Sequence, residues 1–178
     1  MELTSQQRKI KYAVLCGALL VLHLLQNVGG LFPEIAGARC FLLLPAAVFI
    51  SIGEAPFAAA MLGLFSGMLW DLTSLVHMGF NCLFFMFLCC ITSALTLYIA
   101  RDTFITNIIL SSAAVIFYCF IYWVFFILIK GVRGAELTIL SFYLPSAIYT
   151  IIISFAEYFV IKAIKDKVNH IKKQNFEG

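Results

Sequence analysis

Residues 53–71 read GEAPFAAAMLGLFSGMLWD, and this stretch decides the fold. Gly53 and Pro56 bracket Glu54 and Ala55. Proline withholds a backbone donor and glycine loosens the chain, so a helix arriving from the N-terminal side stops here. From position 55 to 70 the residues are predominantly apolar, and the run meets a carboxylate at Asp71. Within it Ala55, Ala59, Gly63 and Gly67 recur every four residues, with Asp71 one step further. Small side chains at that spacing form a ridge that lets a second backbone come close, as helix pairs in membranes require. Four residues overshoot one turn, so the ridge drifts around the helix and suits a right-handed crossing.

The apolar character extends over the whole chain. Of 178 residues, 63% are hydrophobic and 12% charged, against about 45–50% and 25% in soluble domains. Mean hydropathy is +1.02. A soluble protein of this size cannot hide that much apolar surface, which excludes a cytosolic enzyme and a disordered chain. A crossing helix needs about 20 apolar residues. The candidate spans are 13–32 (closed by Gly29, Gly30 and Pro33), a short 41–52, 55–70, 79–100, 105–129 and 139–161. The expected fold is therefore all-α, a polytopic membrane bundle of six transmembrane helices. Its second and third helices are short and separated by the Gly53-Glu54-Ala55-Pro56 break. Residues 1–12 form a cytoplasmic N-terminus, 13–161 the transmembrane domain and 162–178 a basic cytoplasmic tail.

Joining the second and third segments into one long helix would leave five spans, and the placement of cations decides between the two counts. With six spans and both ends inside, the inner side holds Arg8, Lys9, Lys11, Arg101, Lys162, Lys165, Lys167, Lys172 and Lys173, against Arg39, Lys130 and Arg133 outside. With five spans most cations fall outside, so six is preferred. Trp70 and Trp123 then lie toward the outer boundary, where an aromatic belt belongs. A cleaved leader ending at Ala36-Gly37-Ala38 is not expected, because the preceding apolar run is too long and carries His23, Gln26 and Asn27. The basic ends suit anionic lipid rather than nucleic acid, since no aromatic platform accompanies them. Cys16, Cys40, Cys82, Cys89, Cys90 and Cys119 lie in or beside apolar runs without metal-ligand spacing and are read as small apolar residues, so no metal and no cofactor is expected.

Few residues could carry chemistry. Asp71 reads as a helix terminator or a cap for the following turn, or else as a binding or recognition residue. Catalysis by Asp71 with His77 lacks a nucleophile or a metal set. His23, Gln26 and Asn27 share one face of the first span. Polar groups in lipid need partners, so this face looks into the bundle, either bonding between helices or lining a ligand cavity with Asn81 and Asp71. Glu157 reads as a charge paired with the tail lysines or snorkelling to the interface, with a proton relay as the sharper alternative. No nucleotide-binding, metalloprotease or hydrolase signature is present, and the chain is expected not to be an enzyme.

The stretch 39–81 resembles the MreD family of bacterial rod-shape-determining membrane proteins. The resemblance is carried by Arg39 opening an apolar run, a break, then Gly63-Leu64-Phe65-Ser66-Gly67-Met68-Leu69-Trp70-Asp71, and Gly79-Phe80-Asn81 eight residues after the aspartate. Cys40 stands where that family commonly has proline, and the loop 72–78 lacks the usual small turn residues. The resemblance implies a non-enzymatic subunit of the cell-elongation machinery in the bacterial plasma (inner) membrane. Its implied partners are MreC, the actin-like MreB, RodA and a penicillin-binding transpeptidase. The ridge has two readings, packing inside the bundle or docking a partner's helix. Under the second, the interface is Ala59, Gly63, Gly67, Asp71 and Gly79. A rival reading from another class is the substrate-binding subunit of an energy-coupling-factor vitamin transporter, similar in size and span count. The polar face of His23, Gln26, Asn27 and Asn81 would then line its pocket.

Overall fold

A computed structural model describes residues 5–28, 39–74, 78–131 and 135–174, and these are helical with no strand among them. The elements are α1 (Ser5–Asn27), α2 (Leu43–Ser51), α3 (Pro56–Ser74), α4 (Phe80–Tyr98), α5 (Phe104–Trp123), α6 (Ala135–Thr138) and α7 (Leu144–Gln174). A π-helical turn, Val124–Leu128, extends α5, and another, Ile139–Tyr143, joins α6 to α7. Five helical stretches are long and apolar enough to cross a membrane: Gln6–Asn27, Pro56–Ser74, Phe80–Tyr98, Phe104–Leu128 and Ile139–Val168. The protein is a multi-pass membrane bundle.

The sixth element, α2, is too short to join that set, at roughly 14 Å by its helical rise against about 30 Å of hydrocarbon. Yet every one of its nine residues is buried, and it touches all five long helices. It is the axis around which the others pack, and this explains a sequence apolar on every side. Pro45 falls in its first turn, where a missing N–H removes no helical bond. The segment before it is fixed by side chains of flanking helices. The Arg39 N–H donates to Ser146 Oγ and the Phe41 N–H to Thr150 Oγ1, both at 3.0 Å. The Leu43 N–H donates to Gln26 Oε1 at 2.9 Å.

After Ser51 the chain turns. Gly53 takes φ +76°, a left-handed conformation that other residues adopt with strain, and Pro56 opens α3 at the position proline favours. The turn is pinned from three sides. Lys11 Nζ pairs with Glu54 Oε1 at 2.5 Å. Ser93 Oγ donates to the Glu54 carbonyl at 2.6 Å. Lys165 Nζ donates to the carbonyls of Phe49 (3.1 Å) and Ile52 (2.5 Å), supplying the donors that the C-terminus of a buried helix lacks.

Several expectations need correcting. Past position 161 the chain stays helical, α7 continuing to Gln174, and Lys165 of the basic stretch is docked on α2. Trp70 is a core residue, 5.5 Å from Phe41, 5.7 Å from Phe85 and 5.8 Å from Tyr118 between ring centroids, and not part of a lipid-facing belt. Glu157 is buried, and neither of its carboxyl oxygens has a hydrogen-bond partner among the described residues, so it is not paired with the tail lysines. Gly29, Gly30, Pro33, the Ala36-Gly37-Ala38 motif and Arg133 lie outside the described residues.

Candidate functional site

The closest helix contact in the molecule is that of α3 with α4. A Cβ placed on Gly63 would strike the carbonyl oxygen of Phe85 and sit 2.9 Å from Cys89 Cβ. One placed on Gly67 would strike the carbonyl of Asn81 and sit 2.5 Å from Cys82 Cα. Glycine at both positions lets the two backbones touch, and Ala59, fully buried, continues the same stripe. The ridge is thus consumed by α4 of its own chain. Ala59, Gly63, Gly67 and Asp71 are buried inside the bundle and present no surface to a partner's helix, whereas Gly79 alone of the five is exposed.

Asp71 closes the contact. It does not terminate α3, which runs three residues further to Ser74. Its carboxylate instead reaches across to the start of α4. Oδ2 accepts from the Gly79 N–H at 2.9 Å and the Cys82 N–H at 3.1 Å, while Oδ1 accepts from Asn81 Nδ2 at 2.8 Å. Gly79 is the N-cap residue of α4 at φ +93°, has no side chain, and so cannot cap the helix itself. Asp71 performs that task from the neighbouring helix, filling amide donors that a helix start leaves unpaired, at the end where negative charge is favoured.

The network extends one step further. Tyr118 of α5 donates its hydroxyl to Asn81 Oδ1 at 2.8 Å. Its ring is stacked about by Phe84 (5.3 Å), Phe85 (6.0 Å) and Phe41 (6.0 Å). Asp71, Asn81 and Tyr118 are 5%, 1% and 3% exposed, so the chain of hydrogen bonds lies in a dry aromatic shell where each bond is electrostatically strong. Tyr118 went unmarked in the sequence, since nothing in its local pattern separates it from the other six tyrosines. Chemically, the carboxylate has three of its roughly four acceptor sites filled by fixed donors. The arrangement holds three helices in register. His77 lies outside the described residues.

The polar face of α1 forms a second, separate group. Asn27 donates to the carbonyl of His23 at 2.8 Å, with its amide 3.4 Å from His23 Nε2. Gln26 is used by the N–H of Leu43. Gln26 anchors the start of α2, while His23 and Asn27 bond within α1. Asn81 belongs instead to the α3–α4–α5 network.

Comparison of the chain with protein-family models, with curated proteins and with solved structures returned no match.

Proposed function

We propose that this protein is a non-enzymatic integral membrane subunit of the bacterial cell-elongation complex, similar to MreD, which helps couple MreB and MreC to peptidoglycan synthesis by RodA and a penicillin-binding transpeptidase. The observation that carries the reading is the behaviour of the motif that bears the resemblance. Gly63, Gly67, Asp71, Gly79 and Asn81 are 18 residues apart at their extremes, yet they work as one device. The glycines bring α3 onto α4, and Asp71 locks the hairpin through Gly79 and Asn81. A motif used for shape, with its carboxylate engaged by three fixed donors, fits a scaffold better than a catalyst or a carrier. The α1 polar face points the same way, since its amides are occupied by backbone groups.

In this reading the chain makes six traverses, with 41–52 as the second and the Gly53–Pro56 turn facing the cytoplasm. Support comes from Lys11 and Lys165 meeting at that turn, which sets the N-terminal third of α1 and the C-terminal part of α7 at one end of the bundle. That arrangement fits an even number of traverses, and the excess of cations at that end supports a cytoplasmic placement.

The test is a gentle-detergent pull-down of the tagged full-length protein from its native membrane, with co-eluting proteins and small molecules identified. Recovery of MreC, RodA or the transpeptidase is the expected result. Recovery of an ATPase pair with a vitamin-sized molecule would overturn the reading in favour of the transporter subunit.

A further inference from the structure

At the basic end of the bundle, far from Asp71, a cavity of about 470 Å³ opens between α2, α5 and α7. Its floor is apolar and aromatic, formed by Phe49, Phe104, Tyr158 and Ile161, and its rim carries Asp102, Lys162, Lys165 and Asp166. Asn107 also lines it. That side chain is 5% exposed, and its Nδ2 donates to Asp102 Oδ1 at 2.8 Å. This fixes which end of the amide is which, and Asn107 Oδ1 has no donor among the described residues. A buried acceptor without a donor costs about as much as a lost hydrogen bond, so the cavity is built for something that donates.

The charges narrow the class. An anion alone would sit beside Asp102 and Asp166, and a cation alone beside Lys162 and Lys165. A molecule bearing both charges meets neither penalty. Lys165 uses two of its three N–H donors on the carbonyls of Phe49 and Ile52, which leaves one for a ligand. Lys162 lies 5.8 Å over the Tyr158 ring, at the cavity wall. Lys162 and Lys165 are 6 and 3 residues from the end of the apolar stretch Ile139–Val168, close to the depth of lipid headgroups. Beside the opening, Phe155 and Phe159 pack on Phe104 while remaining 43% and 62% exposed, an apolar wall on the lipid side.

We propose that this cavity binds a phosphorylated primary amine, the ethanolamine-phosphate chemistry of a zwitterionic headgroup. The ammonium donates to Asn107 Oδ1 and the carboxylates of Asp102 and Asp166, and the phosphate accepts from Lys162 and the free N–H of Lys165. Acyl chains, where the amine belongs to a lipid, run along Phe155 and Phe159.

Native mass spectrometry of the delipidated full-length protein tests this, with phosphatidylethanolamine, phosphatidylcholine and phosphatidylglycerol offered in equal amounts. Phosphatidylethanolamine should be retained about tenfold over the other two, the factor that one charge-assisted hydrogen bond confers. The trimethylated amine cannot donate, and the glycerol headgroup brings no positive charge. The preference should vanish in Asp166→Asn and Lys162→Gln. Both positions are exposed, so an unchanged melting temperature shows that the fold is kept. A second arm offers soluble phosphoethanolamine as competitor. Full displacement of the lipid assigns the site to the free headgroup, and failure to displace assigns it to the lipid. Equal retention of the three lipids without phosphoethanolamine binding, or a preference that survives both variants, would overturn the proposal.

Discussion

Replacing Asp71 by leucine removes the acceptor for three donors at once. The Gly79 N–H can turn to water, because that residue is exposed, but the Cys82 N–H and the amide of Asn81 cannot. Two buried donors left unpaired cost about 1–3 kcal/mol each, so the expected loss is about 4 kcal/mol. For a protein of 150–250 residues about 1 kcal/mol moves the melting temperature by roughly 2–4 °C, which predicts a drop of roughly 8–16 °C. Asp71→Asn should be much milder. The Asn81 amide can turn over, accept from the new amide, and donate to the Tyr118 oxygen, whose hydroxyl changes from donor to acceptor. The number of bonds is nearly kept and only the charge assistance is lost, about 1–2 kcal/mol. Asn81→Asp sets two carboxylates side by side and should be severe, whereas the exchange Asp71→Asn with Asn81→Asp should recover most of the loss. The assay is thermal unfolding of the purified full chain in one fixed detergent, followed by tryptophan fluorescence. Trp70 lies against Tyr118 and reports on this site directly. An Asp71→Leu protein melting within 2 °C of the parent, or no lower than Asp71→Asn, would refute the reasoning.

Three further outcomes are expected. Gly67→Ala should lower stability by about 1–3 kcal/mol, the range for overpacking, because its methyl meets α4 backbone. Gly17→Ala, with nothing within 4 Å of the new methyl, should be neutral or stabilising by up to about 1 kcal/mol, and a melting comparison of the two separates packing from composition. Lys11→Met leaves Glu54, which is 4% exposed, without its ion pair and with a long 3.5 Å hydrogen bond from the Tyr12 hydroxyl, and should cost about 3 kcal/mol; exchanging the two charges by Lys11→Glu with Glu54→Lys should restore most of it in a double-mutant cycle. Glu157→Leu removes a buried carboxyl without a partner and should raise the melting temperature, by the equivalent of about 1–3 kcal/mol. A fall would show that Glu157 bonds to something the helices do not supply.

The long helices were legible because hydropathy and length suffice for a membrane span. The segments read as 79–100 and 105–129 match Phe80–Tyr98 and Phe104–Leu128 closely. Asp71 as a cap for the following turn was also within reach, since an aspartate after an apolar run and a glycine eight residues on is a local pattern. The end of α3 was misplaced at Asp71 because a charge was taken for the membrane boundary, whereas the side chain satisfies its charge across the hairpin and the helix continues to Ser74. Tyr118, Lys165 and the Lys11–Glu54 pair were not legible as site residues. Each is defined by a partner between 37 and 116 residues away, and no local periodicity encodes such a distance.

By itself, then, the sequence determined that the chain is a helical membrane bundle, where its long helices run, and that a stripe of small residues would bring two backbones together. Those properties follow from the partition of side chains between water and hydrocarbon and from the pitch of a single helix. Only the tertiary structure decided that α4 of the same chain occupies the stripe, and that the nine-residue α2 is the axis of the bundle. It also decided that a lysine read as tail caps that helix. Burial and hydrogen-bond satisfaction are properties of helices in contact, and they exist only once the helices have met.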